Sequence, residues 1–290
     1  MEHARPRYLE SKRSVDDRAL APRVRDRFLA ELPPAPELIE AACGTGVTVP
    51  RLLSWGVDEG RYRGIDTGDR IVPFARWLRA RELRRAGYDV ADGAAGRGDV
   101  DFTVADLAVS FAVGDALDVL DATAGADAVI AQAFADLVPL PRLASAIDSA
   151  LRPGGVAYLP ITFDGGTLFQ PDHPADDAVA AAYHAAIDDQ PGRDSRAGRH
   201  LLDLFRRRDG DLLAAGSSDW VIRPREDGYP ADERYFLGRL LGFVEATVPG
   251  ADRDVEGFDD WVATRRAQLA AGELTYVAHQ YDLLYRTPTR

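Results

Sequence analysis

The 290-residue chain has one cysteine, Cys43, and one lysine, Lys12. A single thiol excludes an intramolecular disulfide and a cysteine-based metal site, and no metal is expected. Long apolar runs are missing too. No stretch approaches the roughly eighteen residues that span a bilayer, and Met1-Glu2-His3-Ala4-Arg5 lacks the apolar core of a signal peptide. A cytoplasmic protein without membrane contact is expected. Positive charge is scarce: 35 Lys and Arg face 47 Asp and Glu, a net charge of −12. A polyanion would meet a surface that repels it on average, and no basic stripe is interleaved with aromatics, so nucleic acid is not an expected partner. Arg206-Arg207-Arg208 reads as a helix end whose charges compensate the helix dipole. An acidic, lysine-poor surface also suits a high-salt cytoplasm, where screening shortens repulsion to about 3 Å at molar salt. What remains, 46% hydrophobic, can bury a large core.

The most informative stretch is Glu37-Leu38-Ile39-Glu40-Ala41-Ala42-Cys43-Gly44-Thr45-Gly46-Val47: an apolar strand, a turn of small residues with two glycines, then a helix. Glycine tolerates positive φ and has no Cβ, so backbone N–H groups can approach a ligand, and the following helix offers its N-terminus. A dinucleotide turn reads G-x-G-x-x-G. Here an acid ends the strand, and the position three after Gly46 is Val49. The order E-x-A-x-G-x-G resembles the first motif of class I S-adenosylmethionine-dependent methyltransferases, with Ala42 at the place of its first glycine. Cys43 is read as a small residue filling this turn.

The spacing downstream agrees with the resemblance. Arg61 to Asp66 forms a second strand ending in an acid about twenty residues beyond the turn, where a carboxylate can accept both ribose hydroxyls. Ile71, Val72, Ala75, Leu78 and Leu83 then follow a helical period. Val109 to Ala116 is a third strand ending at Asp115, and Asp127 to Phe134 a fourth. Leu151-Arg152-Pro153-Gly154-Gly155 leads into a fifth strand. The resemblance spans about residues 37 to 164. It implies a seven-stranded Rossmann-like α/β sheet, mostly parallel with an antiparallel last strand, and S-adenosyl-L-methionine as cofactor. The residues it implies around that cofactor are Glu40, Ala42, Cys43, Gly44, Gly46, Asp66, Thr67, Asp115, Ala116 and Gln132.

Three domains are expected: an N-terminal helical cap over residues 1–34, a cofactor-binding core over 35–165, and the rest of the sheet over 166–290 with a helical lid at about 223–272. In the cap, Tyr8 and Lys12 stand four apart and can point the same way, towards the cofactor mouth. Gly87 to Asp101 reads as a surface loop. Asp177 to Asp188 and Gly198 to Arg208 read as helices, Leu212 to Ile222 as a sixth strand and Glu273 to Arg286 as an antiparallel seventh. Apolar faces at Phe236, Leu237, Leu240, Leu241 and Val244, and at Phe258, Trp261, Val262 and Leu269, make two inserted helices that serve as a lid or a homodimer contact.

Ligands of open α/β sheets bind beyond the carboxyl ends of the parallel strands. That rule places Gln132 and Phe134 after the fourth strand, and Thr162, Phe163 and Asp164 after the fifth, around the methyl group. Tyr276, at the start of the last strand, joins them as a substrate contact. His173, in the loop Gln170-Pro171-Asp172-His173-Pro174, is a candidate for substrate contact and proton removal; Asp164 is the second catalytic candidate. His279 is expected deeper, as a structural hydrogen-bonding residue. The expected function is methyl transfer to a small-molecule oxygen, nitrogen or carbon, with positioning supplying most of the rate. No Asn/Asp-Pro-Pro-Tyr follows the fourth strand, which disfavours methylation of base amino groups. The alternatives are an NAD(P)-dependent oxidoreductase, which lacks its third glycine and a Tyr-x-x-x-Lys pair here, and a non-catalytic cofactor-binding protein of the same fold.

Overall fold

The computed structural model describes residues 5–93, 100–249 and 255–289. Three short helices open the chain: α1 (Pro6–Ser11), α2 (Arg13–Ala19) and α3 (Pro22–Glu31). Strand and helix then alternate: β1 (Glu37–Ala41), α4 (Thr48–Ser54), β2 (Glu59–Asp66) and α5 (Ile71–Arg85). A hairpin, β3 (Val90–Asp92) and β4 (Phe102–Val104), precedes β5 (Asp106–Val113), α6 (Ala116–Asp121), β6 (Ala126–Ile130), α7 (Leu140–Ala150) and the 20-residue β7 (Leu151–Gln170). There follow α8 (Asp176–Asp188), α9 (Ala197–Arg206), β8 (Asp211–Ser217), β9 (Trp220–Ile222), α10 (Glu233–Thr247), α11 (Phe258–Ala271) and β10 (Thr275–Arg286). No helix among the described residues is long and apolar enough to cross a membrane.

All strands join one sheet in the order β3-β4-β5-β2-β1-β6-β7-β10-β8, with β9 against the far end of β10. The run β5-β2-β1-β6-β7 is parallel, while β10 pairs antiparallel with both β7 and β8. The sheet is therefore Rossmann-like, with the antiparallel last strand that the resemblance implies. Both faces are buried, which explains why its central strands are apolar without alternation. Leu38, Ala128, Ile130, Val156, Tyr158 and Leu284 pack under α3, α4 and α5. Their neighbours Ile39, Val129, Ala157, Leu159 and Leu283 pack under α6, α7 and α9.

Four expectations need correction. The segment from Gly87 to Asp101 is not all loop: β3 pairs antiparallel with β4 and extends the sheet beyond β5, Val90 being buried; residues 94–99 lie outside the described residues. The expected sixth strand is two strands. Ser218, between them, is fully buried, and its N–H donates to the carbonyl of Gln280. The fourth strand stops at Ile130, because Ala133 turns to φ 48° and Phe134 begins a 3₁₀ turn. The boundary at 165/166 is crossed by β7, whose outer half, Gly166 to Gln170, pairs with Thr275 to His279 of β10. This outer ribbon carries Phe169 and Tyr276 into a third apolar cluster with Trp261 of α11 and Phe236, Leu237 and Leu241 of α10. The inserted helices are thus anchored on the sheet's own extension.

Candidate active site

At the carboxyl ends of β1, β2 and β6 and against the middle of β7 lies a cavity of about 340 Å³, within the ~300–1,000 Å³ typical of ligand pockets. Its floor is made by turns: Ala42 and Gly44 after β1, Asp66 and Thr67 after β2, and Gln132, Ala133 and Phe134 after β6. Tyr8, Leu9 and Lys12 close one side, and Leu240 and Phe243 of α10 another. The sequence-predicted Tyr8, Lys12, Ala42, Gly44, Asp66, Thr67, Gln132, Phe134 and Tyr276 are thus brought together on one wall system.

Backbone strain concentrates here. Among the described residues five non-glycine residues have positive φ, and three of them, Ala42 (54°), Ala133 (48°) and Ile161 (58°), line this cavity. The left-handed region costs an L-residue about 1–2 kcal/mol, and for β-branched Ile161 it is a genuine outlier. Strain held at a cavity points to a functional site. Ile161 is held there by Asp282, fully buried, which accepts its N–H at 2.8 Å and that of Ala21 at 2.8 Å.

The two glycines of the first turn play different parts. Gly44 has φ 53° and faces the cavity, where an added Cβ would lie 3.3 Å from Leu9. Gly46 does not line the cavity; a Cβ there would stand 2.6 Å from the ring of Phe111. Gly46 is therefore fixed by packing rather than by ligand approach. Cys43 is buried beneath Gly64, and burial pushes its thiol pKa well up, consistent with a filler.

Glu40 is placed otherwise than a direct ligand requires. It is 3% exposed, accepts from Thr48 Oγ1 at 2.8 Å and from the Tyr62 hydroxyl, and does not line the cavity. Burial raises its pKa to about 7 against these hydrogen bonds. It organises the turn from beneath. Asp115 and Ala116 also stand outside the cavity wall: Asp115 ends the β5 connection and caps α6, accepting from the N–H of Leu117 at 2.8 Å.

Strand parity corrects the substrate side. Ile161 and Phe163 face the cavity, so Thr162 and Asp164 turn to the other face of β7. Asp164 is 2% exposed and clasped by Arg199, whose Nη2 and Nε lie 2.8 and 3.0 Å from its carboxylate. This paired carboxylate is not free to act on a ligand in the cavity. His173 does not reach the cavity either. Its Nδ1 accepts from the N–H of Ala175 at 3.2 Å, and Nε2 lies 3.1 Å from Asp260 of α11, which fixes the loop against the outside of the insertion. On β10, Tyr276, Ala278 and Gln280 share the cavity face. His279 points away and bonds Asp219 through Nδ1 at 2.7 Å, half-buried rather than deep.

Several lining residues were not assigned to the site from sequence: Asp136, Arg193, Trp220 and Gln280, and Tyr183 and Ile187, which read only as an apolar helix face. Asp136 sits in the 3₁₀ turn after β6, and burial raises its pKa to about 6 against the nearby charges of Lys12 and Arg193. Burial raises Tyr183 to about 12 and moves Tyr8 and Tyr276 well up, so all three phenols are neutral donors.

The helical cap is tied on by buried polar contacts. Asp16, fully buried, accepts from Trp220 Nε1 and from Gln132 Nε2, each at 2.9 Å, and pairs with Lys12 at 3.5 Å. Arg51 of α4 bridges Asp17 at 2.6 Å and Gln132 at 2.5 Å. Glu10 pairs with buried Arg79 of α5 at 2.5 Å, and Ser14 and Arg18 meet Glu233 of α10 at 2.8 and 2.6 Å. The only pattern read in the sequence beforehand was the helical spacing of Tyr8 and Lys12.

No family model and no curated protein matches the chain. Among solved structures it is similar to a protein studied for the conversion of a disulfide bond into a thioacetal group during echinomycin biosynthesis, at 19% identity and TM-score 0.47 over 93% of this chain and 83% of that one. It is also similar to geranyl diphosphate C-methyltransferase from Streptomyces coelicolor A3(2), at 16% and 0.46 over 90% and 75%, and to a SAM-dependent methyltransferase from Thiobacillus denitrificans, at 18% and 0.46 over 92% of each chain. Likenesses this distant decide neither cofactor nor substrate. What the chain can do is read from its own sheet order and cavity.

Proposed function

We propose that the protein is an S-adenosylmethionine-dependent methyltransferase acting on a small-molecule oxygen, nitrogen or carbon. The observation that carries this reading is the placement of Asp66 at the mouth of a cavity in a sheet whose fifth parallel strand, β7, is followed in space by antiparallel β10. A nicotinamide-binding sheet shares the order 3-2-1-4-5 but continues with a parallel sixth strand. Here that place is filled by a reversed strand, against the oxidoreductase alternative.

The residues present fit the cofactor. Asp66 offers its carboxylate to a ribose diol, and Ile71 gives an apolar surface beside it for a purine. Asp115, next to Asp66 at the sheet edge, is proposed for the adenine amine through the oxygen that does not cap α6. Ala42 and Gly44 let backbone approach the amino-acid end, with Gln132 and Lys12 near it. The rings of Tyr8, Phe134 and Trp220 provide faces that favour a sulfonium cation. When bound, the cofactor supplies an activated methyl group with a neutral leaving thioether. The chain's residues then align the acceptor and exclude water: Tyr8, Leu9, Leu240 and Phe243 cover the cavity, and the Asp16 contacts hold that cover in place. The 1–34 cap and the α10 part of the 223–272 insertion are proposed as this cover, and α11 as its outer support.

The test is incubation with methyl-labelled S-adenosylmethionine and a fractionated metabolite pool. Transfer of label to a small molecule is expected. Tight S-adenosylhomocysteine binding with no labelled product from any fraction would favour the non-catalytic alternative.

A further inference from the structure

The acceptor half of the cavity is aromatic, with walls from Phe134, Phe163, Tyr183, Trp220 and Tyr276. Beside the tyrosine hydroxyls and Arg193, two acceptor groups interrupt it. Gln280 is 2% exposed, and its Oε1 has no hydrogen-bond partner among the described residues. Asp136 is half-buried, with its open side on the cavity, and its carboxyl is held by its own backbone amide. Both are hydrogen-bond acceptors, and a buried acceptor without a donor costs free energy. A ligand seated against these two groups has to bring a donor to them.

Resting on the methyltransferase reading, we propose that Asp136 takes the proton of the acceptor, and that the acceptor is a compact aromatic molecule bearing a hydroxyl. As the hydroxyl oxygen's lone pair forms the bond to the methyl carbon, its O–H pair stays on oxygen and the proton passes to the Asp136 carboxylate. The carbon–sulfur bond breaks with its pair on sulfur, leaving a neutral thioether, so charge and atoms balance. Geometry supports the choice of Asp136 over the other acids at this end of the sheet. Asp164 is clasped by Arg199, Asp16 is saturated by Trp220, Gln132 and Lys12, and Asp66, which holds two backbone N–H groups, is the residue proposed for the ribose. Asp136 alone among them combines a cavity position with a carboxyl that no side chain of the described residues hydrogen-bonds, and it follows β6, next to the cofactor-side residues Gln132 and Phe134. The groups that surround it are Lys12 from the α1–α2 junction, Arg193 and Asp194 after α8, Tyr183 on α8 and Tyr8 on α1. Burial raises the Asp136 pKa to about 6, close to the range suited to a general base, and its own backbone amide and then the two cations hold it from going higher.

The test uses binding rather than turnover. Calorimetry first measures S-adenosylhomocysteine, then phenol and its methyl ether anisole on the protein saturated with it. Phenol is expected to bind at least about tenfold tighter than anisole at pH 8, since a hydrogen bond to a carboxylate is among the stronger ones. That preference should fade as pH falls through about 6, where a protonated Asp136 can donate to the ether. Asp136→Asn should lose most of the preference and all of its pH dependence while binding S-adenosylhomocysteine like the wild type. Should that variant not fold, the wild-type pH dependence alone decides. Equal phenol and anisole affinity, a preference indifferent to pH, or no phenol binding to the loaded protein overturns the proposal; failure of S-adenosylhomocysteine to bind overturns the methyltransferase reading instead.

Discussion

The carboxylate of Asp66 joins the two turns that floor the cavity: Oδ2 accepts the N–H of Gly44 at 3.0 Å, and Oδ1 accepts that of Gly68 at 2.8 Å. An ionised carboxylate has about four lone-pair sites, so it can hold both turns and still receive hydroxyls. Asp66 therefore has two separable effects. Asp66→Ala is expected to weaken S-adenosylhomocysteine binding on the order of tenfold to a hundredfold, from the roughly 1.5–3 kcal/mol of a charged hydrogen bond. It should also lower the melting temperature by freeing the first turn. Unchanged affinity in a folded variant would remove Asp66 from the cofactor site.

The glycines of the first turn should separate in the same way. Gly46→Ala drives a Cβ to 2.6 Å from Phe111 at a φ of 74°, and overpacking costs about 1–3 kcal/mol beyond the backbone strain. Gly44→Ala meets only Leu9 at 3.3 Å and should lose ligand affinity more than stability. Urea denaturation and calorimetry on the two variants give the comparison; equal stability losses would contradict it.

Asp16 is the node of the cap. Replacing it by Ala leaves Lys12, Trp220 Nε1 and Gln132 Nε2 without their acceptor in a buried setting, a loss of about 3–5 kcal/mol. Amide exchange should then rise in α1 and α2. In the wild type, adding S-adenosylhomocysteine should protect α1 and α10, which line the cavity, and leave α11 little changed, since it stands behind them. Equal protection of α10 and α11, or of neither, contradicts the lid.

Glu40 gives a pH signature. Its folded pKa, about 7, lies above the ordinary 4.5, so the folded state holds the proton more tightly and the contribution to stability is full below about pH 4.5. It is lost as pH rises through about 7. Relative to Glu40→Gln, the wild type should therefore lose on the order of 3 kcal/mol between those limits. Denaturant midpoints of both proteins across pH 4 to 8 check this; a constant difference would mean that Glu40 binds its proton no more tightly in the folded state than in the unfolded chain.

The half of this cavity proposed for the cofactor was legible because its constraints are local. A strand, a small-residue turn and an acid at the next strand's end are consecutive in the chain, and Ala42, Gly44, Asp66 and Thr67 lie together in the cavity as that order implies. The acceptor half depends on parity and on long-range packing. Thr162, Phe163 and Asp164 are neighbours in sequence, yet only Phe163 faces the cavity, because strand side chains alternate and the kink at Ile161 sets which face is which. Asp136 lies in a single 3₁₀ turn without periodicity, and Gln280 is one polar residue in a strand, so neither could be separated from a surface acid or a core amide. His173 drew notice by residue type, and only the fold shows it bonded to Asp260 on the outer side.

The central claim is that the cavity at Asp66 binds S-adenosylmethionine. The most direct test is calorimetric titration of the wild type and Asp66→Ala with S-adenosylhomocysteine and, separately, with NAD. The account predicts saturable, one-to-one S-adenosylhomocysteine binding by the wild type, weakened at least about tenfold in the variant, and no heat of binding with NAD. Saturable NAD binding lost in Asp66→Ala, with none for S-adenosylhomocysteine, would contradict it.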